Sequence, residues 1–217
     1  MSPFEVLRAE AASGVSIKDL CRLLGVSRSG YYAFPKRSQR PSVAQQHLYA
    51  DAPHRVCVSD ITYISTALGW CYLATVVDMY SRRVVGWALA EHMRAELVAR
   101  ALHRALNRRK PDPGLVFHSD RGSQYASARC RALLPNHKMT QSRSGAVNCY
   151  DKAPAESFFA SLKKECTHLQ TFTTPTEAYD AVAAYIDGFD NPVRRHSALD
   201  YLSPTRYEQL NEVKLAT

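Results

Sequence analysis

The sequence predicts an α/β fold in which a mixed five-stranded sheet is flanked by helices, with a small helical segment ahead of it. Three observations carry this expectation. Three strand-like runs follow one another with short connections: VCVSDITYIS (56–65), WCYLATVVDMY (70–80) and RRVVGWALA (82–90). Two further short runs, near 115–118 and 138–141, alternate with helical patterns. Apolar residues make up 46% of the 217, enough for a real core.

TALG and YSRR are short enough for hairpins, so the first three strands should be antiparallel. Residues 94–109 carry Leu97, Val98, Ala101, Leu102, Ala105 and Leu106 at helical spacing. PDPG then signals a turn, 115–118 reads as a buried strand, and 123–134 reads as one helix. The loop SRSGAVNCYDK leads to a helix starting at Pro154, a residue suited to a first helical turn. A meander followed by β–α crossovers gives a mixed sheet with helices packed on it. That order, β-β-β-α-β-α-β-α, is the one used by the ribonuclease-H-like fold.

Four segments follow from this pattern: a helical segment over 1–34, a basic proline-bracketed linker over 35–53, a core over 54–170 and a helical extension over 171–217. In the first, Ile17, Leu20 and Leu24 form one stripe, and Ser16 with Asp19 resembles a capping box. Gly25 and Ser27 separate it from a second short helix, which suits a helix-turn-helix or a plain helical hairpin.

Lys plus Arg outnumber Asp plus Glu by 28 to 20, and the sequence pI is near 9.3, which points to a polyanion, nucleic acid before membrane. The six cysteines (21, 57, 71, 130, 149, 166) are scattered without CxxC spacing, so no structural zinc is expected. With no secretory signal and no 18-residue apolar run, a cytoplasmic protein with free thiols and no membrane partner is expected.

Asp60 shares a strand face with Val56, Val58, Thr62 and Ile64, an unusual place for a charge. Asp120 follows GLVF at the end of the fourth strand, where an aspartate can simply cap the turn into the next helix. Glu156 borders the apolar stripe of Ala155, Phe158, Phe159 and Leu162, and Lys163, seven residues on, returns to nearly the same azimuth. In this fold the first and fourth strands are neighbours, so the two aspartates can meet and the helix can present Glu156. Converging carboxylates repel one another, and a divalent cation removes the conflict; hard oxygen donors suit Mg²⁺ or Mn²⁺. Two such ions would clamp the attacking and leaving oxygens of a phosphodiester.

SDITYIST (59–66), GWCYLATVVDMYSRRVVGWAL (69–89), HSDRGSQYAS (118–127), CYDKAPAESFFASLKKE (149–165) and RRHSALDYLSP (194–204) together resemble the catalytic core of bacterial insertion-sequence transposases of the retroviral-integrase (DDE) superfamily. The type is the second reading frame of two-frame elements, and CRLLGVSRSGYYAF (21–34) resembles the start of that frame. Thirty-five residues separate Asp120 from Glu156, the spacing of the family's triad. The resemblance implies metal-dependent cleavage at element ends to free a 3′-OH, which then attacks a second phosphodiester in line. Asp60, Asp120 and Glu156 would be catalytic and hold two Mg²⁺ or Mn²⁺ ions. Lys163 would contact DNA phosphate, Gln124 and Tyr125 would wall the active site, and Arg194 and Arg195 would either contact DNA or tie the motif to the sheet. The partners implied are element ends, target DNA and further copies of the chain on DNA, which places it at the nucleoid when bound.

The chain departs from the family pattern at His54 and Cys57, where the family has Asn and Trp, and at Lys152, where it has Asn. The stretch between YYAF and the first strand is also short. Lys152 cannot accept a capping hydrogen bond, and its charge is unfavourable near a helix N-terminus, so a weak catalyst is expected. Two alternative functions are a shortened relic or regulator that binds DNA or full-length transposase, and a general metal-dependent nuclease of the same fold.

Overall fold

Runs rich in β-branched and aromatic residues build β1 (Val56–Thr66) and β2 (Gly69–Asp78), which pair antiparallel from Cys57 opposite Asp78 to Thr66 opposite Gly69. This computed structural model describes residues 50–120, 122–143 and 153–215, together with Ser16, Ile17, Asp19 and Leu20. β3 (Val84–Ala90) continues the meander, and β4 (Val116–Ser119) and β5 (Thr140–Arg143) add to the other side of β1 in parallel. The order β3-β2-β1-β4-β5 is the expected mixed five-stranded sheet. The strands differ from expectation at their margins: β1 runs on to Thr66, β2 starts at Gly69 and stops at Asp78, β3 starts at Val84 rather than at Arg82, which takes a left-handed turn conformation, β4 is shifted by one residue to end at Ser119, and β5 starts two residues later.

Helices cover both faces. The apolar stripe of α1 (Ala95–Arg109) packs on the side of β1 that carries Cys57, with Ala74, Val76 and Val85. α1 approaches β3 so closely that a methyl group on Gly86 would run into the Ala101 carbonyl oxygen and the Ala105 backbone nitrogen. The expected single helix over 123–134 is two, α2 (Ser123–Ala126) and α3 (Ala128–Asn136). Ser127 makes the break: its hydroxyl donates to the Gln124 carbonyl oxygen at 2.8 Å and accepts from Cys130 N–H at 3.2 Å, capping α3.

On the opposite face, α4 (Ala153–Leu162) continues into a wide π-helical turn over Lys163–Thr167. Its Ala155, Phe158, Phe159 and Leu162 bury against Val58, Ile64 and Leu73. α5 (Pro175–Ala183) extends through a second such turn, Ala184–Asp190, and joins the same core through Ala178, Val182 and Ile186. α6 (Pro204–Leu215) is fixed by Glu208, which is buried and accepts from Ser81 Oγ, Arg83 and Arg109.

The chain divides into Met1–Gln46 and His47–Thr217. In the first unit, Asp19 N–H and Leu20 N–H donate to the Ser16 carbonyl oxygen, a helical start at the expected cap. The rest of the expected helix-turn-helix, including Leu24, lies outside the described residues, as does Lys152.

Candidate active site

β1 and β4 run parallel with Val56 opposite Val116, Cys57 opposite Phe117 and Val58 opposite His118. Asp60 and Asp120 each lie two residues beyond the last of these pairs, at the point where two strands about 4.8 Å apart stop pairing. Cys57 and Phe117 join the core beneath α1, whereas Val58 packs beneath α4. By alternation Asp60 shares the face of Val58 and Ile64, under the helix that carries Glu156.

Tyr125 packs in the core beneath α1. Its ring is buried beside Phe117, and its hydroxyl and Ser59 Oγ share a hydrogen bond of 3.1 Å. Burial pushes the phenol pKa well up; the Ser59 hydrogen bond lowers it, while the charges of Asp60 and Asp120 raise it further. Both carboxylates are thus within electrostatic reach of one buried hydroxyl. That phenol stays protonated and can orient its surroundings but cannot act as a base.

Asp120 also does what a turn aspartate does. Its Oδ1 accepts from Gly122 N–H at 2.7 Å, just ahead of α2. A methyl group on Gly122 would sit 2.8 Å from that oxygen and 2.9 Å from Gln124 Oε1, so any larger residue there must push these two side-chain ends aside. Gln124 donates to the Met93 carbonyl oxygen at 3.3 Å, which ties α2 to the segment before α1.

Glu156 is exposed in the first turn of α4. Among the described residues, no three Asp, Glu, His or Cys side chains are gathered into an arrangement that could hold a metal ion. Such a cage is not what Mg²⁺ needs: it retains several waters and binds through one or two carboxylates plus substrate phosphate oxygens. Asp60, Asp120 and Glu156 are hard oxygen donors of the kind Mg²⁺ takes, and the three side chains are not gathered into one cluster.

Lys163 stands two helical turns beyond Glu156, and its Nζ lies 4.7 Å from the centre of the Tyr63 ring. Arg194 is engaged elsewhere. Its Nε and Nη2 donate to Glu165 at 2.9 Å each, holding that carboxyl below its usual range, and Asp190 lies 3.9 Å from Nε. Arg195 is exposed and borders an open groove of about 500 Å³ with Arg82, Ser157, Ser161 and Tyr201. That groove runs along the flank of α4 turned away from Glu156. Sequence reasoning missed Ser59, Gly122 and Glu165. Ser59 points to the face opposite Asp60, and the other two act through contacts that no local pattern announces.

The integrase core domain family matches residues 50–149, and a second integrase core domain family matches residues 156–211. The chain is 40% identical over 172 residues to the transposase for insertion sequence element IS904 of Lactococcus lactis subsp. lactis, covering 79% of this chain and 68% of that one. This chain belongs to the integrase core family of insertion-sequence transposases. It is also 42% identical over 170 residues to transposase InsF for insertion sequence IS3A of Escherichia coli K12, covering 78% of this chain. The chain spans 59% of the length of that relative. Among solved structures, the HTLV-2 integrase catalytic core in complex with magnesium superposes with a TM-score of 0.53 at 13% identity, covering 74% of this chain and 99% of that one. This integrase core thus has the ribonuclease-H-like fold anticipated from its strand order.

Proposed function

We propose that this chain carries the catalytic activity of an insertion-sequence transposase, cutting DNA at element ends and joining the freed strand to a target. The observation that supports the reading is the β1–β4 register, in which Asp60 and Asp120 each follow the Val58–His118 pair by two residues and Val58 packs beneath the helix that bears Glu156. Asp60, Asp120 and Glu156 would be the catalytic carboxylates and would hold Mg²⁺ or Mn²⁺, two ions in the complete site. When bound, the cations would offset charge on the phosphodiester and stabilise the attacking and leaving oxygens of an in-line displacement. The magnesium held by the HTLV-2 core supports that choice.

The remaining residues of the site position these groups. Gly122 N–H holds one Asp120 oxygen, so that carboxylate cannot swing freely. The Ser59–Tyr125 pair forms a floor, and Gln124 braces the wall beside it. In cleavage, water attacks phosphorus and the bond to the 3′ oxygen breaks, leaving a 3′-OH. In joining, that hydroxyl attacks a second phosphodiester, whose own 3′ oxygen departs. Lys163 and Arg195 would contact phosphate, while Arg194, clamped by Glu165, fixes the segment that carries Arg195. The net charge of +8 suits a DNA partner. We infer a homo-oligomer assembled on DNA in the cytoplasm; no helix among the described residues is long and apolar enough to cross a membrane.

The test is an in vitro assay with labelled duplexes of the cognate element ends in Mg²⁺. A 3′-OH at the element boundary followed by joined product is expected, with both abolished by EDTA. Cutting without end specificity or joining would overturn the transposase reading.

A further inference from the structure

Tyr63 and Trp70 are large aromatic side chains left mostly in solvent, 57% and 53% exposed. Ser65 pairs with Trp70 across β1 and β2, so Tyr63 is the diagonal neighbour of Trp70 on one face. Their rings cross edge to face, with centroids 5.2 Å apart and planes at 86°. Nearer the sheet centre this face is buried by α1, but the hairpin runs past that cover.

The same rings sit beside the candidate active site. Tyr63 is three residues beyond Asp60, about 10 Å along the strand. On the side of β4, among the described residues, β1 has no strand partner between Val58 and the Thr66–Phe172 bridge, which leaves an edge around which a chain can pass. Lys163 spans that edge: it opens the π-helical turn that continues α4, seven residues after Glu156, and its ammonium lies over the Tyr63 ring. Asp60 and Tyr63 lie on opposite faces of β1, and the Lys163 ammonium over the Tyr63 ring connects the two faces across the strand's open edge.

We propose that Tyr63 and Trp70 form a stacking platform for unpaired bases of the DNA strand at the cleaved end, with Lys163 on the adjoining phosphate. The proposal rests on the reading of the chain as a DNA-cutting enzyme and adds a base-binding subsite to it. Every base has a π-face, so such a platform accepts any sequence, and a basic groove with exposed aromatic rings is the general form of a single-strand site.

The experiment uses the full chain in EDTA, so that nothing is cut, with two labelled probes of equal length. One is a single-stranded oligonucleotide of the element end; the other is an abasic sugar–phosphate strand. The sequence contains only two tryptophans, and Trp87 is buried, so emission from Trp70 reports stacking directly. The base-bearing strand should quench that emission and the abasic strand should not. Trp70→Ala and Tyr63→Ala should each weaken binding of the base-bearing strand by roughly 5- to 150-fold, the range for loss of one stacked base, and binding of the abasic strand by less than about 2-fold. If an alanine variant unfolds, the quenching comparison on the unaltered chain still decides. Equal quenching by both strands would overturn the platform, as would unchanged affinity in the folded alanine variants. Loss of self-association in Trp70→Ala without any base-dependent quenching would assign the patch to a protein contact and overturn it too. Absence of base-dependent binding here, together with cleavage of duplex ends in the separate Mg²⁺ assay, sinks the platform alone, whereas failure to bind any DNA sinks it together with the transposase reading.

Discussion

Ser59 and Tyr125 are joined by a hydrogen bond of 3.1 Å in the buried floor beneath Asp60 and Asp120. The phenol is held protonated, so its part is structural. Tyr125→Phe should cost about 0.5–1.5 kcal/mol of stability, the worth of one ordinary hydrogen bond, and leave cleavage within a few-fold of the parent. Denaturant titration and a cleavage time course check the two halves. Loss of cleavage in a fully folded variant would mean that the hydroxyl acts in the chemistry.

Gly122 presses on Asp120. In Gly122→Ala the new methyl must displace Asp120 Oδ1 or Gln124 Oε1, and the 2.7 Å bond to the Asp120 carboxylate is strained or lost. A catalytic group moved by about 1 Å can cost on the order of 100-fold in rate. Cleavage should fall by that order while the melting temperature changes little. Parent-like rates would show that the loop relaxes without moving Asp120.

Glu208 is the buried anchor of α6, with Arg83, Arg109 and Ser81 all donating to it. Glu208→Ala leaves two guanidinium groups, one 13% and the other 26% exposed, without their shared partner. The expected loss is about 3–5 kcal/mol, as for breaking a buried ion pair from one side. Calorimetry decides; a loss under about 1 kcal/mol would mean that the arginines find other partners.

Asp190 and His196 should give opposite pH dependences. Burial pushes the Asp190 carboxyl up to about 6, against the pull of Arg194 and with a push from Glu165. Burial first, then Arg194 and Arg82, push the His196 ring down to about 4. The two are 3.6 Å apart, within ion-pair reach, yet these shifts leave both neutral in the middle of the window. Between about pH 4 and 6 the folded chain keeps a proton on Asp190 that the unfolded chain releases, so that contribution weakens as pH rises. Between about pH 4 and 6.5 the unfolded chain binds a proton at His196 that the folded chain does not, so that contribution strengthens. Removing one member exposes the other. Relative to the parent, the melting temperature of Asp190→Asn should climb more steeply with pH across this window, and that of His196→Gln less steeply. Identical slopes in all three would contradict the assignment.

Strand alternation and the short connections made the sheet legible, because a period of two and a hairpin length leave few topologies. Asp60 stood out as a charge in an apolar strand, and strand order alone put Asp120 beside it. The break at Ser127 was hidden, since one serine inside a helical pattern looks the same whether it caps or merely faces solvent. Arg194 could be read equally as a DNA contact or a tie; its bidentate partner Glu165 lies 29 residues away and carries no local signal. The exposure of Tyr63 and Trp70 carries no sequence signal, because periodicity does not tell where a covering helix ends.

The central claim is that Asp60, Asp120 and Glu156 act in the chemistry of DNA cleavage and not in holding DNA. The most direct measurement pairs single-turnover cleavage in Mg²⁺ with DNA affinity for Asp60→Asn, Asp120→Asn and Glu156→Gln. Each variant should bind element ends within a few-fold of the parent, because phosphate contacts come from other residues, yet yield no cleaved or joined product. Near-normal cleavage by any one of the three would contradict the account.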